Sequence, residues 1–120
     1  MHNKKRLFAG VAICAMLVSE IALGENSDTT ALQFIAELES KLKLPSGSYR
    51  LHEYVRHYKF YGTDASSKVE AIFIFGDGHG GVRLVGQEAL PRVFDGGCSV
   101  VNVVLTRAGK IVSVQCNGRA

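Results

Sequence analysis

The sequence lacks the motifs of the common enzyme classes. It contains no G-x-S-x-G, no H-E-x-x-H and no G-x-x-x-x-G-K-[ST] phosphate loop. It also lacks C-x-x-C, the usual form of a redox pair or of half a zinc site. No catalytic residue can therefore be nominated by motif, and we expect no cofactor and no metal. The chain is more consistent with a binding protein than with an enzyme.

Repeats, low-complexity tracts and linkers are absent too, so the 120 residues predict a single domain. The longest apolar run, Leu7–Val18, has 12 residues, against the roughly 20 that cross a bilayer. It follows Lys4–Arg6, and small residues precede Glu25, as in a signal peptide with its cleavage site. We expect a signal peptide over 1–24, cleaved near Gly24–Glu25, a single domain over 25–120 and a periplasmic or secreted location. A retained membrane anchor is the alternative.

The net charge is small once that segment is removed. Without Lys4, Lys5, Arg6 and Glu20, the 14 basic and 11 acidic residues become 11 and 10. A nearly neutral domain gives no general attraction to nucleic acid or to an anionic membrane. We therefore expect no nucleic-acid partner and no membrane span in the mature chain.

One helix is predicted, over 26–43. Ala31, Ile35, Leu38 and Leu42 recur at helical spacing and form one apolar stripe. Ser27 or Asp28 can cap the first turn, and Pro45 disfavours helix at the residue before it. A helix with one apolar side is expected to pack across a sheet.

Four or five antiparallel strands are predicted after the helix. They cover 48–61 with a bulge near 52–53, then 68–75, 82–85, 98–106 and 110–116. The loop "RAG" (107–109) is typical of a three-residue hairpin with glycine at the left-handed position. The expected fold is α+β, with the helix packed on a curved antiparallel sheet. This order of elements is similar to the cystatin-like arrangement, but without a Q-x-V-x-G motif protease inhibition is not implied.

Cys98 and Cys116 lie at the two ends of the last hairpin. With Thr106 opposite Lys110, they become diagonal neighbours with Cα atoms roughly 7–8 Å apart. A disulfide requires roughly 4.4–6.8 Å, and the glycines at 96 and 97 allow the necessary bend. A structural disulfide is favoured over a redox pair or a thiolate metal site.

Two segments are candidate binding surfaces. The strand "YRLHEYVRHYKFY" concentrates positive charge among aromatic rings and can bind an anionic small molecule or a protein; its candidates are Arg50, His52, Arg56, His57 and Lys59. The loop "GDGHGG" offers Asp77 and His79, which would serve a small hydrolase or metal-dependent enzyme. A solvated strand and a plain turn are the simpler interpretations of these two segments.

Three pieces, "YVRHY", "DGGCSVVNV" and the terminal "CNG", resemble a group of small exported proteobacterial proteins of uncharacterised activity. The resemblance covers residues 54–120. It implies export, one helix with a sheet and a paired Cys98 and Cys116, and it supplies no catalytic residue. The expected function is non-catalytic binding or interaction within the cell envelope. A small hydrolase and a purely structural envelope component are the alternatives.

Overall fold

The computed structural model describes residues 28–76 and 79–118, in two compact units that divide after Lys41. The described part of the first unit is a helix over 28–41, labelled α1, within the predicted range. Ile35 and Leu38 of the predicted stripe are buried, whereas Leu32 is half exposed. No described helix has the length and apolar character needed to cross a membrane. The expected signal peptide lies outside the described residues, and the packing of α1 across the sheet stays a prediction.

The second unit contains five strands. A 3₁₀ turn, Leu51–Glu53, comes first and replaces the predicted bulge. The strands follow in chain order: β1 (Tyr54–Phe60), β2 (Lys68–Phe75), β3 (Gly81–Leu84), β4 (Gly97–Thr106) and β5 (Ile111–Asn117). The five predicted strands are therefore present, with the first shortened at its start.

The sheet is mixed rather than purely antiparallel, so that part of the predicted fold was wrong. The spatial order is β3-β1-β2-β4-β5. β1 pairs antiparallel with β2 and parallel with β3, whereas β4 pairs antiparallel with β2 and β5. Both edges of β2 are occupied, by β1 and β4. The chain therefore passes the start of β1 at Gly80, and the short β3 adds to the outer edge of β1.

This crossing explains the glycine-rich sequence after β2. The backbone at Gly80 passes so close to the start of β1 that an added Cβ would lie 1.8 Å from the carbonyl oxygen of His52. No side chain fits at that distance, so the crossing requires glycine. The loop "GDGHGG" thus connects non-adjacent strands and is not the expected hairpin turn.

One face of the sheet, here called the core face, is buried. The register places Tyr58 opposite Ala71, and Ala71 opposite Val103. Tyr54, Tyr58, Phe73, Val101 and Leu105 of this face are fully buried. The buried Tyr54 hydroxyl donates to the carbonyl oxygen of Cys98 at 2.5 Å and accepts from the Tyr49 N–H at 3.0 Å. It therefore ties the start of β4 to the segment before β1.

The predicted disulfide is present: Cys98 and Cys116 are bonded, with Cα atoms 4.6 Å apart. The predicted hairpin register is correct next to the turn, where Leu105 pairs with Ile111, but wrong beyond it, because Val104 pairs with Ser113 instead of Val112 and leaves Val112 as a bulge. A second irregularity lies between the pairs Gly97–Asn117 and Val101–Cys116. It leaves three residues of β4, beginning at Cys98, without counterparts on β5 and brings the two cysteines within bonding distance.

Candidate ligand cavity

The connection from β3 to β4, residues 85–96, runs over the face of the sheet opposite the core face. β3 ends beside Tyr58 at one end of the sheet, whereas β4 begins near the end of β2, at the other. The connection must therefore travel the length of the sheet. We call residues 85–96 the strap and the face beneath it the strap face.

Two polar groups of the sheet hold the strap. The Lys59 ammonium donates to the carbonyl oxygens of Gln87 and Glu88, at 3.3 and 2.5 Å. Near the other end, the Asn117 amide donates to the carbonyl oxygen of Val93. These bonds satisfy carbonyls that the irregular chain leaves without ladder partners.

Asn117 is in turn fixed by a neighbour on the adjacent strand. The Asn102 amide donates to Asn117 Oδ1 at 3.2 Å. This bond orients the Asn117 side chain so that its own amide points at the strap. The two asparagines therefore act as one attachment point.

A cavity of about 520 Å³ lies between the strap and the sheet. This volume falls within the range of roughly 300–1,000 Å³ typical of small-molecule sites. Its apolar lining includes Ile72, Leu90, Val93, Phe94 and Val104. Its polar lining consists of Lys59, Tyr61, Glu70, Gln87, Arg92, Asn102 and Asn117. Apolar walls with a few polar groups are the composition of a ligand pocket.

Glu70 is the carboxylate of this lining. It accepts a hydrogen bond from the Tyr61 hydroxyl and forms a salt bridge with Lys68 at 3.3 Å. The Tyr61 hydrogen bond, and then Lys68 and Lys59, lower the pKa of Glu70 despite its partial burial. The same hydrogen bond is the main cause of the raised pKa of Tyr61. Glu70 is therefore a paired anion on the cavity wall.

The comparisons with known proteins leave the cavity as the main indication of function. No protein-family model, curated protein or solved structure matches the chain. Any function must therefore be argued from this chain's own residues.

The five basic candidates of the first strand do not form one surface. Arg50 and His52 are exposed and precede β1. Arg56 lies on the core face, opposite Phe73, where its guanidinium contacts the carbonyl oxygens of Leu51 and Tyr54 at 3.5 and 3.3 Å.

His57 and Lys59 lie on the strap face. Partial burial, and secondarily the nearby Arg83, lower the pKa of His57. Of the five candidates, Lys59 is the one that lines the cavity.

The loop candidates gain no support as a catalytic or metal pair. Asp77 lies outside the described residues, and His79 is exposed. Within 28–76 and 79–118, no group of three or more metal-binding side chains comes together.

Sequence reasoning missed most of the cavity. Tyr61, Glu70, Arg92, Asn102 and Asn117 were not nominated because no motif marks them. One signal was available, since the 12 residues between β3 and β4 have no regular structure. A connection of that length inside a compact domain is often functional.

Proposed function

We propose that this protein is an exported, non-catalytic binding protein that holds a small molecule between the strap and the sheet. The observation that carries this proposal is the cavity of about 520 Å³, with apolar walls and polar groups from four strands and the strap. Because its lining comes from elements far apart in sequence, the cavity forms only in the folded protein, as a preformed ligand pocket does.

Export is supported by the Cys98–Cys116 disulfide. Disulfides persist in oxidising compartments and are rare in the reducing cytoplasm of most cells. Cleavage near Gly24–Glu25 remains part of this proposal.

A purely structural envelope component would not need such a cavity. The cavity is open to solvent, and along it the apolar side chains of the strap and of the sheet forfeit packing contacts with one another. The strap could lie flat on the strap face if covering apolar side chains were its only role. Binding is therefore the function that the geometry supports best.

A screen of small-molecule fragments tests the proposal, with backbone amide NMR shifts as the readout. We expect hits whose shifts cluster on the strap and on the residues beneath it. Val104→Phe should abolish those hits, because it fills the cavity with an aromatic ring that a strand tolerates well. Val112→Phe is the matched control, since Val112 is exposed on the β5 bulge and outside the cavity lining.

Two results would contradict the proposal. One is a screen in which no fragment perturbs the cavity residues. The other is a set of hits that bind Val104→Phe as tightly as the unaltered protein.

A further inference from the structure

The charges of the cavity lining are not balanced. Lys59 and Arg92 supply two cations, whereas Glu70 supplies one carboxylate. Glu70 is already paired with Lys68 and hydrogen-bonded by Tyr61. Its main partners are therefore Tyr61 and Lys68; Lys59, opposite it in the ladder, shares its charge to a smaller extent, and the lining keeps a net positive charge.

Lys59 donates its hydrogen bonds to uncharged groups. Its two acceptors are the strap carbonyl oxygens of Gln87 and Glu88. An ammonium has three N–H donors, so one remains for a ligand while the strap stays attached. Backbone carbonyls do not neutralise a full positive charge.

Arg92 has no hydrogen bond and no salt bridge to any residue within 28–76 and 79–118. It lies on the strap and contributes to the cavity lining. The strap carboxylates of Glu88 and Asp95 are exposed and lie outside that lining. A guanidinium that no described residue engages can form a charge-assisted hydrogen bond with a ligand oxyanion.

The rest of the lining suits an apolar body. Leu90, Val93 and Phe94 come from the strap, and Ile72 and Val104 from the sheet. Phe94 is 82% exposed, so its ring lies at the opening of the cavity rather than in the protein interior. Burial of an apolar ligand chain against these side chains would be favourable.

We propose that the ligand is an amphiphilic carboxylate, whose anionic head contacts Lys59 and Arg92 and whose apolar chain lies against Leu90, Val93 and Phe94. This inference rests on the proposed function, because it names the ligand class of the same cavity. The positive head site and the apolar wall select for both parts of the molecule. A short carboxylate and a neutral amphiphile should each lack one of the two interactions.

Three probes separate these contributions: octanoate, octanamide and acetate. Each is titrated into the oxidised, full-length mature protein, and the amide shifts of the cavity residues are followed. We expect octanoate to bind beneath the strap. Octanamide should bind about tenfold more weakly because it lacks the charge-assisted hydrogen bonds. Acetate should not bind measurably because it lacks the chain.

Arg92→Gln is the decisive variant. Because Arg92 has no partner within the described residues, its replacement should not disturb the fold. We expect octanoate affinity to fall about tenfold while octanamide affinity is unchanged. Arg83→Gln is the matched control, since Arg83 is exposed on β3 and outside the cavity lining, and it should alter neither affinity.

Equal affinity for octanoate and octanamide would overturn the ligand class. So would octanoate binding that neither Arg92→Gln nor Lys59→Met weakens, or octanoate shifts confined to residues outside the cavity. Absence of binding by all three probes would also overturn it. The fragment screen tests the binding function separately. Hits of other chemistry in the cavity would support that function even where this ligand class is wrong.

Discussion

At the scale of single residues, Glu70 shows how a carboxylate can be held charged on the wall of a cavity. The Tyr61 hydrogen bond and the Lys68 ammonium both favour its ionised form. Tyr61 and Lys68 are separated by a turn, and the Tyr61 N–H donates to the Lys68 carbonyl across its base. This backbone hydrogen bond, one position beyond the end of β1, therefore holds Tyr61 and Lys68, the two partners of Glu70, close together.

This arrangement predicts a pH-dependent contribution of Glu70 to stability. Because its folded-state pKa is lowered, the ionised carboxylate stabilises the fold above the ordinary glutamate value near 4.5. The contribution is lost as the pH falls through the lower, folded-state pKa. We expect Glu70→Gln to reduce the free energy of unfolding at pH 7 and to have little effect in strong acid.

Denaturant unfolding of both proteins across that pH range measures the difference. Glu88→Gln is the control, because that side chain is exposed on the strap and should show no such trend. A Glu70→Gln effect of the same size at neutral and strongly acidic pH would contradict the prediction. Since Glu70 is partly exposed, added salt should shrink the neutral-pH effect.

At the scale of elements, local pattern predicts much of the structure but not its connections. The stripe through Ile35 and Leu38 predicts α1, and the β-branched runs predict β2, β4 and β5. The side on which β3 pairs depends on which edges other strands have already occupied, and no local pattern contains that information. The Val112 bulge likewise follows from the fit of the two strands rather than from the turn residues.

The β2–β3 crossing gives an element-scale prediction. Gly80→Ala would place a Cβ 1.8 Å from a backbone oxygen of His52, so either the crossing or the start of β1 must move. We expect a loss of about 2–3 kcal/mol in the free energy of unfolding, measured in denaturant. The amides of β3 should also exchange faster with solvent.

Gly86→Ala is the matched control for that variant. Its added Cβ would make an ordinary contact, 3.5 Å from the Glu88 carboxylate. Its effect should be neutral or stabilising by about 0.4–1 kcal/mol, because alanine restricts the unfolded chain. Equal stability of the Gly80→Ala protein and the unaltered protein would show that the close approach does not constrain the crossing.

At the scale of the whole molecule, the candidate site is less predictable than the fold. Lys59 was identified from the charge of its own strand, because that signal is local. Asn102, Asn117 and Arg92 contribute through contacts between strands and strap that are distant in sequence. Their role depends on the strap crossing the sheet, which follows from the mixed topology.

The disulfide gives the last prediction, since it joins the start of β4 to the end of β5 at the base of the strap. Cys98 and Cys116 are 18 residues apart, and closing such a loop restricts the unfolded chain. The loss in the Cys98→Ser/Cys116→Ser protein should be about 3 kcal/mol. Denaturant unfolding measures this loss, and intact mass of the exported protein should show two hydrogens fewer before reduction than after. Free thiols in the purified protein would remove the main support for export. A disulfide-bonded protein that begins at Glu25 would support both export and cleavage of the signal peptide.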